Sequence, residues 1–392
     1  MAMAVNQLVA SVSAPPIADV NGWVADLQFT AARPLLNVAQ AVPSYPPAQS
    51  LIEHVGEMAA DAASAAYSPI LGLPPLRDAF AQHMTRTYAS AIDGSRIAMT
   101  AGCNQAFCVA ISALAAPGEQ VLLPVPWYFN HQMWMQMQGI EIGALAFDEV
   151  RGGVPSVEAA AAAITDRTRA IVLVTPNNPT GNEYPQSLLD SFYELAVERG
   201  LTLVIDETYK DFRSHAGPPH TLFARANWQE HLVSLHSFSK SYAMAGYRVG
   251  ALVCGPSLLE SIQKILDCIT ICAPQLGQRA ALHALEQLSD WRDEKVAMMS
   301  ERVQSLRNAF LRNDLNYDLI SSGTFFAWVR HPFPGIPSAD VARKLAREHG
   351  VLCVPGSTFG PGLDNYLRFA FANLESDAMH GLVERLIESQ TT

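Results

Sequence analysis

Lys240 stands in Leu235-His236-Ser237-Phe238-Ser239-Lys240-Ser241-Tyr242, among apolar and small hydroxyl residues and with no acidic neighbour nearby in sequence. A lysine kept from bulk water loses proton affinity and becomes a nucleophile able to form Schiff bases with aldehydes. Taken alone, a lysine at a strand end is more often one whose stem lies along apolar surface with its head in water. Asp206 closes the apolar run Leu201-Thr202-Leu203-Val204-Ile205. A carboxylate there must be paired or face a polar pocket, unless it simply caps a helix.

Gly102-Cys103-Asn104 opens a helical pattern that runs to Leu114, and free backbone N–H groups at such a start form an anion site. Arg248, in Gly246-Tyr247-Arg248-Val249-Gly250, offers a balancing cation for a phosphate, or else a salt bridge at a sheet edge. Asn177-Asn178-Pro179-Thr180-Gly181 has the chemistry of a turn with a helix start behind it. In a pyridoxal 5′-phosphate (PLP) site, Asp206 would keep the pyridine nitrogen protonated and make the ring an electron sink. Tyr209, three residues on, could place its phenol beside the same ring.

The elements that must position these residues are short apolar runs alternating with helical patterns from about Ser50 onward: Arg96–Thr100, Gln120–Leu123, Ala170–Val174, Leu201–Ile205, Leu232–Leu235 and Arg248–Val253. Such alternation predicts a mainly parallel sheet covered by helices. Ligands of open α/β sheets sit at the carboxyl ends of the strands, where five of these runs give way to polar residues. Val5 to Asn37 reads as a weakly patterned arm, and the Pro-rich Val42-Pro43-Ser44-Tyr45-Pro46-Pro47 as a loop. Past Leu282 the chain is helical and charged through Arg312, then gives a strand at Phe325–Val329, a helix near Ser338–His349 and a strand at Leu367–Ala372. This pattern predicts a separate, smaller α/β lobe.

A chain of 392 residues with 49% hydrophobic and 16% charged residues has the material for more than one core. A net charge of −11 argues against nucleic acid as a partner. Met1 to Ala32 holds no Lys or Arg, unlike a secretory or transit signal, and no apolar run is long enough to span a bilayer. A cytoplasmic protein without membrane contact is the expectation. The six cysteines are scattered without CxxC pairs or His ligand spacing, which predicts reduced, mostly buried thiols and no metal; Cys268 and Cys272 lie at helical spacing.

In order along the chain, Tyr67 with Gly72-Leu73-Pro74-Pro75-Leu76-Arg77, the Thr-x-Gly turn at Thr100, Asn177–Gly181, Asp206-x-x-Tyr209, Ser237-x-Ser239-Lys240 through Arg248, and the late Arg368 resemble the class I/II aminotransferases of PLP fold-type I, the aspartate-aminotransferase-like group. The resemblance implies a large domain (51–284) with a mainly parallel seven-stranded sheet between helices, an N-terminal arm that joins the small domain (1–50), and a small C-terminal α/β domain (285–392). It implies PLP held as a Schiff base by Lys240, which then shuttles the proton of the substrate Cα. It implies Asp206 at the pyridine nitrogen, Asn178 and Tyr209 at the ring phenolate oxygen, and Tyr128, rather than Trp127, stacked on the ring. The phosphate would be held by Gly102, Cys103, Asn104, Ser237 and Arg248, and by Tyr67 of a second subunit, hence a homodimer. Arg368 matches the arginine that grips the substrate α-carboxylate, a bidentate task that lysine does poorly, with Asn178 and Ala41 beside it.

Two features depart from the family pattern. Ala41 takes the place of a glycine in the loop that closes over the substrate, and Cys103 and Asn104 stand where small or hydroxyl residues are frequent. No second cation for a side-chain carboxylate is found in the expected stretches, so acidic substrates are disfavoured. Tyr45, Trp127, His131, Trp134, Phe325 and Trp328 could instead supply an aromatic or apolar pocket. The expected activity is amino transfer between an L-amino acid, neutral or aromatic by preference, and a 2-oxo acid, by a ping-pong mechanism through pyridoxamine phosphate. A C–S β-lyase or related eliminase or synthase uses the same lysine and aspartate. A non-catalytic ligand-binding relative is a third, remote alternative.

Overall fold

A computed structural model describes residues 4–391. Strand β1 (Leu36–Asn37) follows two short helices, Gln7–Ala10 and Pro16–Gly22, which the weak patterning of the arm conceals. The principal sheet holds seven strands: β2 (Ile97–Thr100), β3 (Gln120–Pro124), β4 (Glu141–Leu145), β5 (Thr168–Val174), β6 (Thr202–Asp206), β7 (Leu232–Ser237) and β8 (Gly250–Val253). Their order is β2-β8-β7-β6-β5-β3-β4, and only β8 runs antiparallel to its neighbours. This is the helix-covered, mainly parallel sheet expected of fold-type I.

Period-2 alternation splits the sheet residues between two cores. Ile171, Leu173, Leu203 and Ile205 pack on one face with Phe80, Met84 and Tyr88. Ala170, Val172, Val204, Val233 and Leu235 pack on the other, with Phe107 and Ile111 of helix Cys103–Leu114. Strand β4 has no counterpart among the apolar runs because it is a half-exposed edge strand, with one buried residue of five. Arg248 lies outside β8: it ends a 3-10 turn (Ala245–Tyr247) in the left-handed region at φ 54°, and the strand begins two residues later.

A second sheet, β12-β13-β10-β9, is antiparallel: β9 (Asp318–Gly323), β10 (Phe326–Arg330), β12 (Val354–Pro355) and β13 (Tyr366–Ala370). Helices Ser289–Ala309, Ser338–His349 and Ala378–Ser389 cover it around a core of their own. β1 pairs in parallel with β11 (Val351–Leu352), so the segment after the arm is tied to the C-terminal part of the chain. The loop after β5 meets the end of β9 where Gly181 and Gly323 lie back to back; a Cβ on either would run into the other's backbone.

No helix among the described residues is long and apolar enough to cross a membrane, and no cluster of three or more His, Cys, Asp or Glu could hold a metal there. All six cysteines are free; Cys103, Cys254 and Cys353 are buried and Cys268 is exposed. Cys268 and Cys272 do not share a helix face, because the helix ends at Thr270.

Candidate active site

The carboxyl edge of the sheet opens into a cavity of about 320 Å³. Its wall includes Cys103, Asn104, Tyr128, Asn178, Asp206, Tyr209, Ser237, Lys240 and Arg248, nine of the site residues expected from sequence. Topology accounts for the convergence. Asp206 and Ser237 end the parallel neighbours β6 and β7, and Thr100 of β2 pairs with Gly250, which also faces Ser237.

Asp206 is almost fully buried and reaches the cavity on the Phe107 side of the sheet. Oδ2 receives His131 Nε2 at 3.3 Å; Oδ1 receives the Thr208 N–H at 3.0 Å and the Cys103 thiol at 3.6 Å. Burial pushes the carboxyl pKa up, but His131 and Thr208 outweigh it and hold it below the ordinary value, so the group is a carboxylate at neutral pH. His131 is stacked on Phe107 at 3.7 Å. Sequence reading placed it only in a possible aromatic pocket. The signal available was its position on the first turn of a helix begun at Tyr128, which turns it back under the cavity.

Lys240 lies on an irregular turn after β7, its amine directed to the backbone carbonyl of Ala41. Burial, then the charges of Arg368 and Arg248, lower its pKa to about 8. Far more of it is therefore the free amine near neutrality than of an ordinary lysine, as a Schiff-base nucleophile requires. Tyr128 and Tyr209 are pushed the other way, the first to about 12 and the second well above its ordinary value, in both cases chiefly by burial, so both are neutral phenols.

The anion site is built at the start of helix Cys103–Leu114, whose N-cap is Gly102 at φ 86° and ψ 165°, a conformation open essentially to glycine. A Cβ there would strike the Arg248 guanidinium, which lies across the turn and bonds the carbonyls of Ala245 at 2.9 Å and Ala101 at 3.3 Å. Arg248 makes no ion pair among the described residues, so the sheet-edge salt bridge is not formed. Gly250 lets β8 approach the same turn; a Cβ on it would come within 2.5 Å of the Cys103 nitrogen. The Cys103 thiol points to Asp206 rather than to the anion site, and burial together with that carboxylate pushes its pKa well up, so it is protonated.

Tyr128 Oη is fixed by Asn130 Nδ2 at 2.9 Å and itself donates to Asn104 Oδ1 at 3.4 Å. Trp127 lines a different cleft and gives its backbone N–H to the Phe359 carbonyl. Asn178 belongs to a loop knitted by buried Asn177, whose Oδ1 accepts from Thr180 N and Oγ1 at 3.1 and 2.9 Å. Arg368 is buried behind the cavity wall: it donates to Asn178 Oδ1 at 3.1 Å and to the Ala39 carbonyl, while Nε has no partner. Segment 39–41 thus engages both Arg368 and Lys240 through its carbonyls. Tyr67 does not line the cavity of its own chain and is 77% exposed.

An amine, a carboxylate, two neutral phenols and an anion cradle around one cavity match the polar groups of PLP: aldehyde, pyridine nitrogen, phenolate oxygen and phosphate. Seven mainly parallel strands and this constellation are those of the class I and II aminotransferases, and residues 33–386 match the model of that family, described as aminotransferase class I and II. The chain belongs to this family, whose members use PLP. Among its relatives, the aromatic aminotransferase ISS1 of Arabidopsis thaliana is 30% identical over 379 residues, 95% of this chain and 92% of that one. An aspartate aminotransferase of Pyrococcus abyssi is 27% identical over 82% of this chain and 84% of its own. In fold, the chain is similar to the aspartate aminotransferase of Thermus thermophilus with maleate, with a TM-score of 0.89 at 24% identity over 99% of this chain and 100% of that one.

Proposed function

We propose that the protein transfers the amino group of an L-amino acid, neutral or aromatic by preference, to a 2-oxo acid in a ping-pong reaction, with PLP held by Lys240. The observation that carries this reading is the joint placement of Lys240, Asp206 and the Gly102 turn under Arg248 on one cavity. Bound there, the cofactor would supply the electron sink for a carbanion at the substrate Cα. Asp206, held by His131 and Thr208, would keep the pyridine nitrogen protonated; Asn178 and Tyr209 would bond the phenolate oxygen, and Tyr128 would cover the ring. Cys103 and Asn104 backbone N–H groups, Ser237 and Arg248 would hold the phosphate.

Lys240 would take the α-proton and return it to the cofactor side, the work of a general base whose pKa lies near operating pH. Arg368, released from the Ala39 carbonyl, would receive the substrate carboxylate beside Asn178 and Ala41. The preference for neutral or aromatic donors is supported by the cavity, which has no cation besides Lys240 and Arg248 in its wall, and by the likeness to the plant aromatic aminotransferase. Exposed Tyr67 supports a homodimer in which it completes the partner's phosphate site, and the two sheets with separate cores support the division 1–50, 51–284 and 285–392.

The test is a single half-reaction. Cofactor-loaded protein given an amino donor and no acceptor should release one equivalent of 2-oxo acid per site, with a change in the cofactor absorbance that an added 2-oxo acid reverses. Continuous release of pyruvate and ammonia with the spectrum unchanged would identify an eliminase instead. Full turnover by Lys240→Ala would refute both.

A further inference from the structure

The turn that carries Lys240 is poorly held by its own backbone. Within Phe238–Ala243 the hydrogen bonds are long, Tyr242 N to Phe238 O at 3.4 Å and Ala243 N to Lys240 O at 3.5 Å, and Ala243 sits in the left-handed region at φ 53°. The short bond to this turn comes from outside it: Ser241 Oγ donates to Asp211 Oδ2 at 2.5 Å. The other oxygen of Asp211 accepts from Lys210 Nζ at 2.7 Å, and Lys210 reaches His83 Nε2 at 3.3 Å. Lys210 is buried and the side chain of Asp211 is only 16% exposed. The pair stands outside the cavity wall, on the face of the sheet that carries Phe80 and Tyr242.

We propose that Asp211, acting through Ser241, is a positioning residue for Lys240: the buried Lys210–Asp211–Ser241 chain pins the irregular turn so that the amine is presented to the cavity. This rests on the reading of Lys240 as the cofactor-binding amine. The physical reason is that a turn with weak internal bonds and one strained residue samples other conformations unless a strong contact selects one. A hydrogen bond to a buried carboxylate is of the strong, charge-assisted kind. Its carboxylate is in turn kept ionised: burial raises the Asp211 pKa, but the charge and hydrogen bond of Lys210 and the hydrogen bond of Ser241 pull it far below the ordinary range. Burial holds His83 down at about 3, so the Lys210 ammonium has a neutral acceptor there rather than a competing cation.

The clean perturbation is Ser241→Ala, which removes the tether and leaves the Lys210–Asp211 pair intact. Two readouts apply, one of them free of cofactor. Competitive labelling of Lys240 by an amine reagent in the apoprotein, read by mass spectrometry across pH, should show the Lys240 pKa rising from about 8 as the amine gains access to solvent and moves away from the charges of Arg368 and Arg248. Stopped-flow absorbance after mixing apoprotein with PLP should show capture slowed about tenfold, the loss expected for one such hydrogen bond. Ser241→Thr should restore both. Asp211→Asn should resemble Ser241→Ala, and the double variant should be no worse than the lower single, because both act through one bond.

Folded Ser241→Ala with wild-type labelling and capture would overturn the proposal. So would additive losses in the double variant, the signature of two unrelated defects. If the alanine variant does not fold, Ser241→Cys, of similar shape with a weak donor, gives the same two readings. Failure of the wild-type apoprotein to capture PLP would count against the functional reading alone, since the labelling arm still decides the positioning role.

Discussion

At the scale of single residues, the site depends on charges whose partners are specified one by one. Arg368 shows it best. Its guanidinium is buried, lies over Phe326 and Phe359 at 5.3 and 5.1 Å, and has one nitrogen without a partner. In the proposed reaction this planar fork, seated between rings and bonded to Asn178, would receive the substrate carboxylate, and an ammonium would keep the charge but lose the second bond and the stacking. Arg368→Lys should therefore raise KM for the amino donor about 10- to 100-fold with a smaller effect on kcat. Steady-state kinetics with a fixed oxo acid measure it. An unchanged KM would mean that the substrate carboxylate binds elsewhere.

At the scale of elements, the strand end Asp206-Glu207 sends adjacent carboxylates to opposite faces of the sheet. Glu207 receives Tyr88 Oη at 2.6 Å, His220 Nε2 at 3.3 Å and the Ser234 hydroxyl, which itself meets His236 at 2.8 Å. Burial raises the Glu207 pKa, yet His220, His236 and Ser234 bring it down to about 2. The folded value lies below the unfolded one, so the unfolded chain binds the extra proton and this group's stabilisation is full above about pH 4.5 and lost as pH falls toward 2. Glu207→Gln should flatten the acid limb of melting temperature against pH in that window. At neutral pH it should cost about 3 to 5 kcal/mol, since the remaining partners lose a buried charge. Parallel acid limbs in the two proteins would show that Glu207 does not titrate as described.

At the scale of the whole molecule, Tyr67 is an exposed aromatic side chain outside the cavity of its own chain, and the proposed homodimer would cover it. Sedimentation equilibrium should give twice the chain mass of 42.5 kDa. Tyr67→Phe should leave that mass unchanged while weakening PLP about tenfold, the worth of one hydrogen bond to a charged group. A monomer with full PLP affinity would remove Tyr67 from the site.

Much of this was legible in the chain itself. Period and punctuation marked six of the seven strands of the main sheet, and the helix starting after Gly102, because fully buried strands are continuous apolar runs and a helix start needs its glycine. The order of motifs implied the family, and with it the residues that line the cavity. Edge strand β4 and strand β9 were silent because half-exposed strands carry mixed residues. What only the tertiary structure decided are contacts between residues far apart in sequence: His131 and Cys103 on Asp206, Ala39 and Ala41 against Arg368 and Lys240, and Asp211 behind the lysine turn. Local sequence carries propensity and period, whereas a hydrogen bond across the fold depends on where two elements bring their ends together, and that is settled by packing.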